Sequence, residues 1–193
     1  MVAHPRAREA KGRIFEALGF LERAIAIDRN YGPALSWAAI CHMQIVINSW
    51  AEEPETSRRE ASDLARRALQ VGENDPGILA NAAVVLAIFG EDIGAMMGLV
   101  DRALALNPSY ARGWDQSGVL RNLAGEYDLA IEHVETSLRL SPRDRIGVPP
   151  GQIGAAYFFK HQFDEASAKL LLSIQDDPGY PPRTKFSPRA MPI

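Results

Sequence analysis

Small side chains, with Met96 in one place, recur along this chain at intervals of which three of four are nearly equal, and that recurrence narrows the folds open to it more than any other feature. Ala17, Ala61, Met96, Ala130 and Ala166 each sit early in a helix-forming stretch. Each has an apolar or small residue four positions on: Leu21, Ala65, Val100, Val134 and Leu170. From one to the next the separations are 44, 35, 34 and 36 residues. A period in this range marks a helical-hairpin repeat, in which each unit buries its apolar face only by stacking on its neighbours.

The other elements of the repeat have mechanical reasons. Gly118 and Gly154, with Ala39 and Ala83 in the same register, remove bulk so that a partner helix can approach closely. Trp114, Leu79 and Leu35 supply the large neighbours. Gly90 and Gly125 stand where a first helix must end, because glycine accepts the left-handed C-cap. Pro108, Pro142 and Pro178 end second helices. Asp75–Pro76 reads as an N-cap followed by the first helical residue.

These signals predict an unpaired helix over 11–28 and four hairpins. The hairpins are Pro33–Trp50 with Ser57–Val71, Pro76–Phe89 with Ile93–Leu106, Ser109–Ala124 with Tyr127–Leu140, and Gly151–Lys160 with Phe163–Asp176. Residues 1–178 are expected to form one repeat domain, followed by an extended proline-rich tail over 179–193. The stretches "INSWAEEPETSRRE" and "RIGVPPG" interrupt the spacing. Neither end carries an obvious polar capping face. Apolar residues there, such as Ile14, Leu18, Leu170 and Ile174, either form an association surface for a second copy or are covered by the tail and the long first helix.

Composition limits the function classes. A formal net charge of −3 disfavours a general nucleic-acid binder. One cysteine in 193 residues excludes an internal disulfide framework and suits a reducing cytoplasm. The start, "MVAHPRAREAKGR", has no apolar core of a secretory signal. The longest apolar run, "ILANAAVVLAIFG", is too short to span a bilayer. A cytoplasmic protein with no membrane or nucleic-acid partner is expected.

Catalytic, cofactor and metal sites are expected to be absent. His4, His42, His133 and His161 do not pair at metal-ligand spacing, and no HExxH or CxxC occurs. Cys41 and His42 adjoin on a helix and point about 100° apart, poor geometry for a thiolate–imidazole pair; a buried structural role is expected for both. "GQIGAAYF" lacks the lysine of a phosphate loop and follows no strand. Met96 and Met97 read as core filler, and Arg58, Arg59, Arg66 and Arg67, interleaved with Glu60 and Asp63, read as a solvated face.

The stretch from Asn107 to Pro142, with Trp114, Gly118, Ala130 and Pro142 in order, resembles a tetratricopeptide repeat. Ser117 and Arg121 depart from its leucine and tyrosine. The last unit keeps Ile153, Gly154, Tyr157, Ala166 and Pro178 but has Pro150 in the aromatic place. The resemblance covers residues 13 to 180. It implies an all-α, right-handed α–α superhelix of about four hairpins plus one unpaired N-terminal helix. "DRNYGPALSWAAICHMQ" and the late Trp-and-acid hairpin turn are similar to the repeat region that follows class III adenylate cyclase or winged-helix regulatory domains in bacteria.

What the family implies is a non-enzymatic scaffold that binds a peptide or protein partner in a groove lined by first helices. In that frame Ser36, Ile40, Gln44, Asn81, Val84, Ile88, Arg112, Asp115, Gln116, Val119, Asn122, Gln152 and Phe159 fall on the inner side. Amides suit such a groove because each can donate to and accept from a peptide backbone. Asn81 and Arg112 match the two-carboxylate clamp of the chaperone-binding branch, whereas Ser36, Ile40 and Gln116 replace its other members. The alternative is a regulatory module acting on a catalytic or DNA-binding domain that this chain does not contain.

Overall fold

The computed structural model describes residues 5–142 and 148–176. The described residues are helical with no strand, and their contacts gather them into two compact units that divide between Pro108 and Ser109. The repeat spacing predicts one domain over residues 1–178. In a repeat array each unit touches only its neighbours, so a division falls between hairpins, as it does here. The tail over 179–193, Pro178 and residues 145–147 of "RIGVPPG" lie outside the described residues.

The first unit holds α1 (Pro5–Ile27), α2 (Gly32–Ile47), α3 (Pro54–Val71), α4 (Pro76–Ile88) and α5 (Ile93–Leu106). α2 pairs with α3 and α4 with α5; α1 packs on α2, and α4 packs on both α2 and α3. Alanines make this nesting close. Ala61, Ala65 and Ala68 line one side of α3 and are fully buried. Ala68 meets Leu35 of α2 and Ile78 of α4 in one apolar cluster. A second cluster joins Leu18 of α1 to Ala38, Cys41 and Ile45 of α2, with Ile14, Ala17, Leu21 and Ile25 packed around it. α4 is buried along Ile78–Leu86, consistent with a helix apolar on every face.

Its helix ends follow local chemistry. Asp75 caps α4, its Oδ1 accepting from the backbone N–H of Gly77 and Ile78 at 2.8 and 3.0 Å. Asp92 caps α5 in the same way through Ala95 N–H at 2.7 Å. α2 stops at Ile47, three residues before the expected Trp50. There Asn48 Nδ2 donates to the Gln44 carbonyl at 2.8 Å, and Ser49 takes a positive φ of 59°. α3 begins at Pro54 rather than Ser57, because proline has no N–H to lose in the first turn and its φ already suits a helix.

The second unit holds α6 (Ala111–Ala124), α7 (Tyr127–Leu140), α8 (Val148–Phe159) and α9 (Phe163–Asp176). α6 pairs with α7 and α8 with α9, and α8 also contacts both α6 and α7. Gly118 faces α7 so closely that a Cβ there would collide with Val134 Cγ2 and lie 3.2 Å from the Ala130 carbonyl. Gly125 ends α6 at a φ of +82°, the left-handed cap read from its position. α8 starts at Val148, earlier than the expected Gly151, and takes Pro149 and Pro150 into its first turn. The register of small residues at Gly118, Ala130, Gly154 and Ala166 is thus at helix contacts, with all four buried.

Candidate functional site

Each unit presents its own stretch of first-helix surface. In the first unit the expected positions lie on α2 and α4. Ser36, Ile40, Asn81 and Val84 are buried there, at 1%, 5%, 1% and 4% exposure; Gln44 and Ile88 are half-buried. Asn81 Nδ2 donates to Ser36 Oγ at 3.5 Å, and Ser36 Oγ donates to the Pro33 carbonyl at 3.0 Å. Asn81 therefore bridges α4 to α2 beneath the surface. Gln44 Oε1 accepts from Asn48 Nδ2 at 3.2 Å.

In the second unit the expected positions lie on α6 and α8, and these are more open. Arg112, Asp115, Val119, Asn122 and Phe159 are half-buried, while Gln116 and Gln152 are buried. Three of them form a connected polar group. Asn122 Nδ2 donates to the Gln152 main-chain carbonyl at 3.2 Å, and Gln152 Nε2 donates to Asp115 Oδ1 at 3.0 Å. These bonds fix both amide orientations, since flipping either would set oxygen against oxygen. Asn122 Oδ1 and Gln152 Oε1 are left as buried acceptors that receive nothing from the described residues. A buried amide oxygen without a donor costs free energy.

An aromatic side chain that the first-helix frame omits packs against one of these positions. Tyr127, at the start of α7, stacks on Phe159 with ring centroids 5.6 Å apart and planes at 14°. Phe158 meets Phe159 edge-on at 5.6 Å. Tyr127 escaped the sequence reading because it opens a second helix; only the coincidence of two aromatics at hairpin turns could have flagged it. Arg121 Nη1 donates to Glu126 Oε2 at 2.6 Å, tying the α6–α7 turn. Between α6 and α7, His133 Nδ1 lies 2.8 Å from Ser117 Oγ, and its ring stands edge-on to Trp114.

Cys41 and His42 belong to the first unit's interior. Cys41 is 5% exposed, and burial pushes its thiol pKa up. Burial lowers the His42 imidazole pKa, partly offset by Glu60 and Glu22. Its Nδ1 lies 3.3 Å from Glu60 Oε2, near enough for a charge pair but outside hydrogen-bond geometry. Among the described residues no three His, Cys, Asp or Glu side chains are placed to hold a metal ion, and no helix is long and apolar enough to cross a membrane.

No protein-family model and no curated protein matches this sequence. Solved structures do match in fold. The thermophilic TPR protein TTC0263 of Thermus thermophilus aligns over 88% of this chain and 86% of its own, at 22% identity and a TM-score of 0.65. PilF of Pseudomonas aeruginosa aligns over 89% and 77%, at 19% identity and a TM-score of 0.57. YrrB, described as a TPR protein with an unusual peptide-binding site, aligns over 88% and 81%, at 20% identity and a TM-score of 0.52. At such identities the likeness establishes architecture: the chain has the all-α hairpin-repeat fold of tetratricopeptide proteins.

Proposed function

We propose that the chain is a non-enzymatic, cytoplasmic interaction scaffold whose second unit grips an extended peptide along the inner face of α6 and α8. The observation that carries this reading is the pair of donor-less amide oxygens, Asn122 Oδ1 and Gln152 Oε1, on that face. An extended peptide has backbone N–H groups without a ladder of their own, and these oxygens would accept from them once the Asn122 and Gln152 side chains turn out of their present hydrogen bonds. Val119 and the Tyr127–Phe159 stack offer apolar contact beside the polar group. The fold shared with YrrB, a protein described as peptide-binding, is consistent with this use. In the first unit the buried Ser36 and Asn81 act as internal support, and Gln44 and Ile88 are the accessible contacts.

A display library of random linear peptides selected against the chain tests the proposal. Selected peptides should bind the parent and lose at least about tenfold in affinity to Asn122→Ala combined with Phe159→Ala, a loss typical of central contacts. Equal binding to both would remove the α6–α8 face as the site. The alternative, a regulatory module for a cyclase-like or DNA-binding domain, would be favoured by such a domain encoded in the same reading frame.

A further inference from the structure

The geometry points to a second binding surface, independent of the peptide-groove reading: the outward face of α1 is built to pair antiparallel with α1 of a second copy of this chain. α1 buries Ile14, Ala17, Leu18, Leu21 and Ile25 toward α2. On the opposite side Gly12, Glu16, Gly19, Arg23 and Ile27 fall at spacings of four, three, four and four, which is a single helical stripe. Phe20 flanks it. Ile27 is 89% exposed and Phe20 58% exposed. A Cβ added at Gly12 or Gly19 would meet nothing within 4 Å. The stripe therefore carries one large apolar projection, Ile27, and two gaps.

The order of these features is self-complementary. Consider two α1 helices running antiparallel about a two-fold axis between residues 19 and 20. Ile27 of each then stands over Gly12 of the other, and the two Gly19 residues meet beside the axis, where the absence of side chains lets the helices approach closely. Glu16 of each faces Arg23 of the other, so the same alignment that seats the two Ile27 side chains also forms two ion pairs. An isologous interface requires this reciprocity, residue i to j and j to i. A face made only for solvent has no reason to match size and charge about one centre. In the free chain the Arg23 guanidinium lies 4.5 Å from the Phe20 ring centroid, covering apolar surface that the second copy would take over.

The overlap from Gly12 to Ile27 is about 24 Å long at 1.5 Å per residue. One helix pair of that length buries less than the roughly 1,200–2,000 Å² of a standard stable interface. The dimer is accordingly weak, forming at about tens to hundreds of micromolar and loosening with salt.

Sedimentation velocity on the whole chain over that concentration range tests the inference, with circular dichroism confirming that each variant is folded. The parent should show a monomer–dimer equilibrium. Glu16→Arg alone and Arg23→Glu alone should each weaken it by roughly tenfold or more, because both ion pairs become like-charge contacts. The double variant E16R/R23E should return to within about threefold of the parent. Within one chain these side chains stand about 10 Å apart along the helix, so recovery can come only from contact between copies. Gly19→Leu, which fills the gap with a good helix former, should abolish the dimer while leaving the fold intact. A parent that stays monomeric, a dimer indifferent to the single reversals, or a double variant that does not recover would each overturn the proposal. Indifference would direct attention to another surface, such as exposed Phe158 and Phe163 at the α8–α9 turn.

Discussion

Gly118 and Val134 face each other across the α6–α7 contact with no room for a methyl group between them. This pair shows how the hairpins are held: helix separation is set by the absence of a side chain on one helix and a branched one on the other. Gly118→Ala should therefore destabilise by about 1–3 kcal/mol despite alanine's better helix propensity. Gly98 on α5 is the control, since a Cβ there meets nothing within 4 Å. Gly98→Ala should stabilise by about 0.5–1 kcal/mol. Urea denaturation followed by circular dichroism measures both, and equal effects of the two changes would contradict the packing argument.

Asp75→Ala removes both hydrogen bonds that cap α4. A loss of about 1 kcal/mol is expected. Asp75→Asn keeps an acceptor oxygen in place and should recover most of it. Thermal melts of the three proteins give the comparison.

Asn81 should behave as a structural residue. It is 1% exposed and bridges to Ser36. Asn81→Ala strands its partners in the interior and should cost about 1–3 kcal/mol. Peptides selected on the α6–α8 face should bind this variant unchanged at a temperature where it remains folded. Fluorescence anisotropy with a labelled selected peptide would separate loss of stability from loss of binding.

His42 imposes a pH dependence whose sign follows from its burial. Desolvation lowers its folded-state pKa below 6.5, with Glu60 on α3 and Glu22 on α1 opposing the shift. The unfolded chain then binds a proton at a higher pH than the folded one. Stability from the neutral imidazole is present above pH 6.5 and is lost as pH falls through the folded-state value. His42→Gln should flatten this part of the stability profile, measured by urea unfolding between pH 7.5 and pH 5. A steeper slope in the variant would reverse the assignment.

Much of the fold was legible because the repeat writes its contacts in residue size. Gly118, Ala130, Gly154 and Ala166 could be assigned to helix contacts from their spacing alone, since no other role demands small residues at that interval. Helix starts were less legible. Pro54, Pro149 and Pro150 act as first-turn residues here, and a proline read as a breaker delays the start by three residues. Depth was the hardest to read. Ser36 and Asn81 fall at register positions expected to face inward, yet α2 and α4 pack closely enough to cover them. Register gives direction around a helix, whereas burial depends on how near the next helix comes. The Asn122–Gln152–Asp115 linkage spans 37 residues of sequence, so no local pattern announced it.

The shielding of Cys41 has a practical consequence. A thiol that is 5% exposed and held protonated by its apolar surroundings is a poor nucleophile toward maleimides and other sulfhydryl reagents. Single cysteines introduced on the surface of α1 or α6 can thus carry fluorophores or spin labels without first removing the native one. Both proposed binding faces then become open to distance measurements in the otherwise unaltered chain.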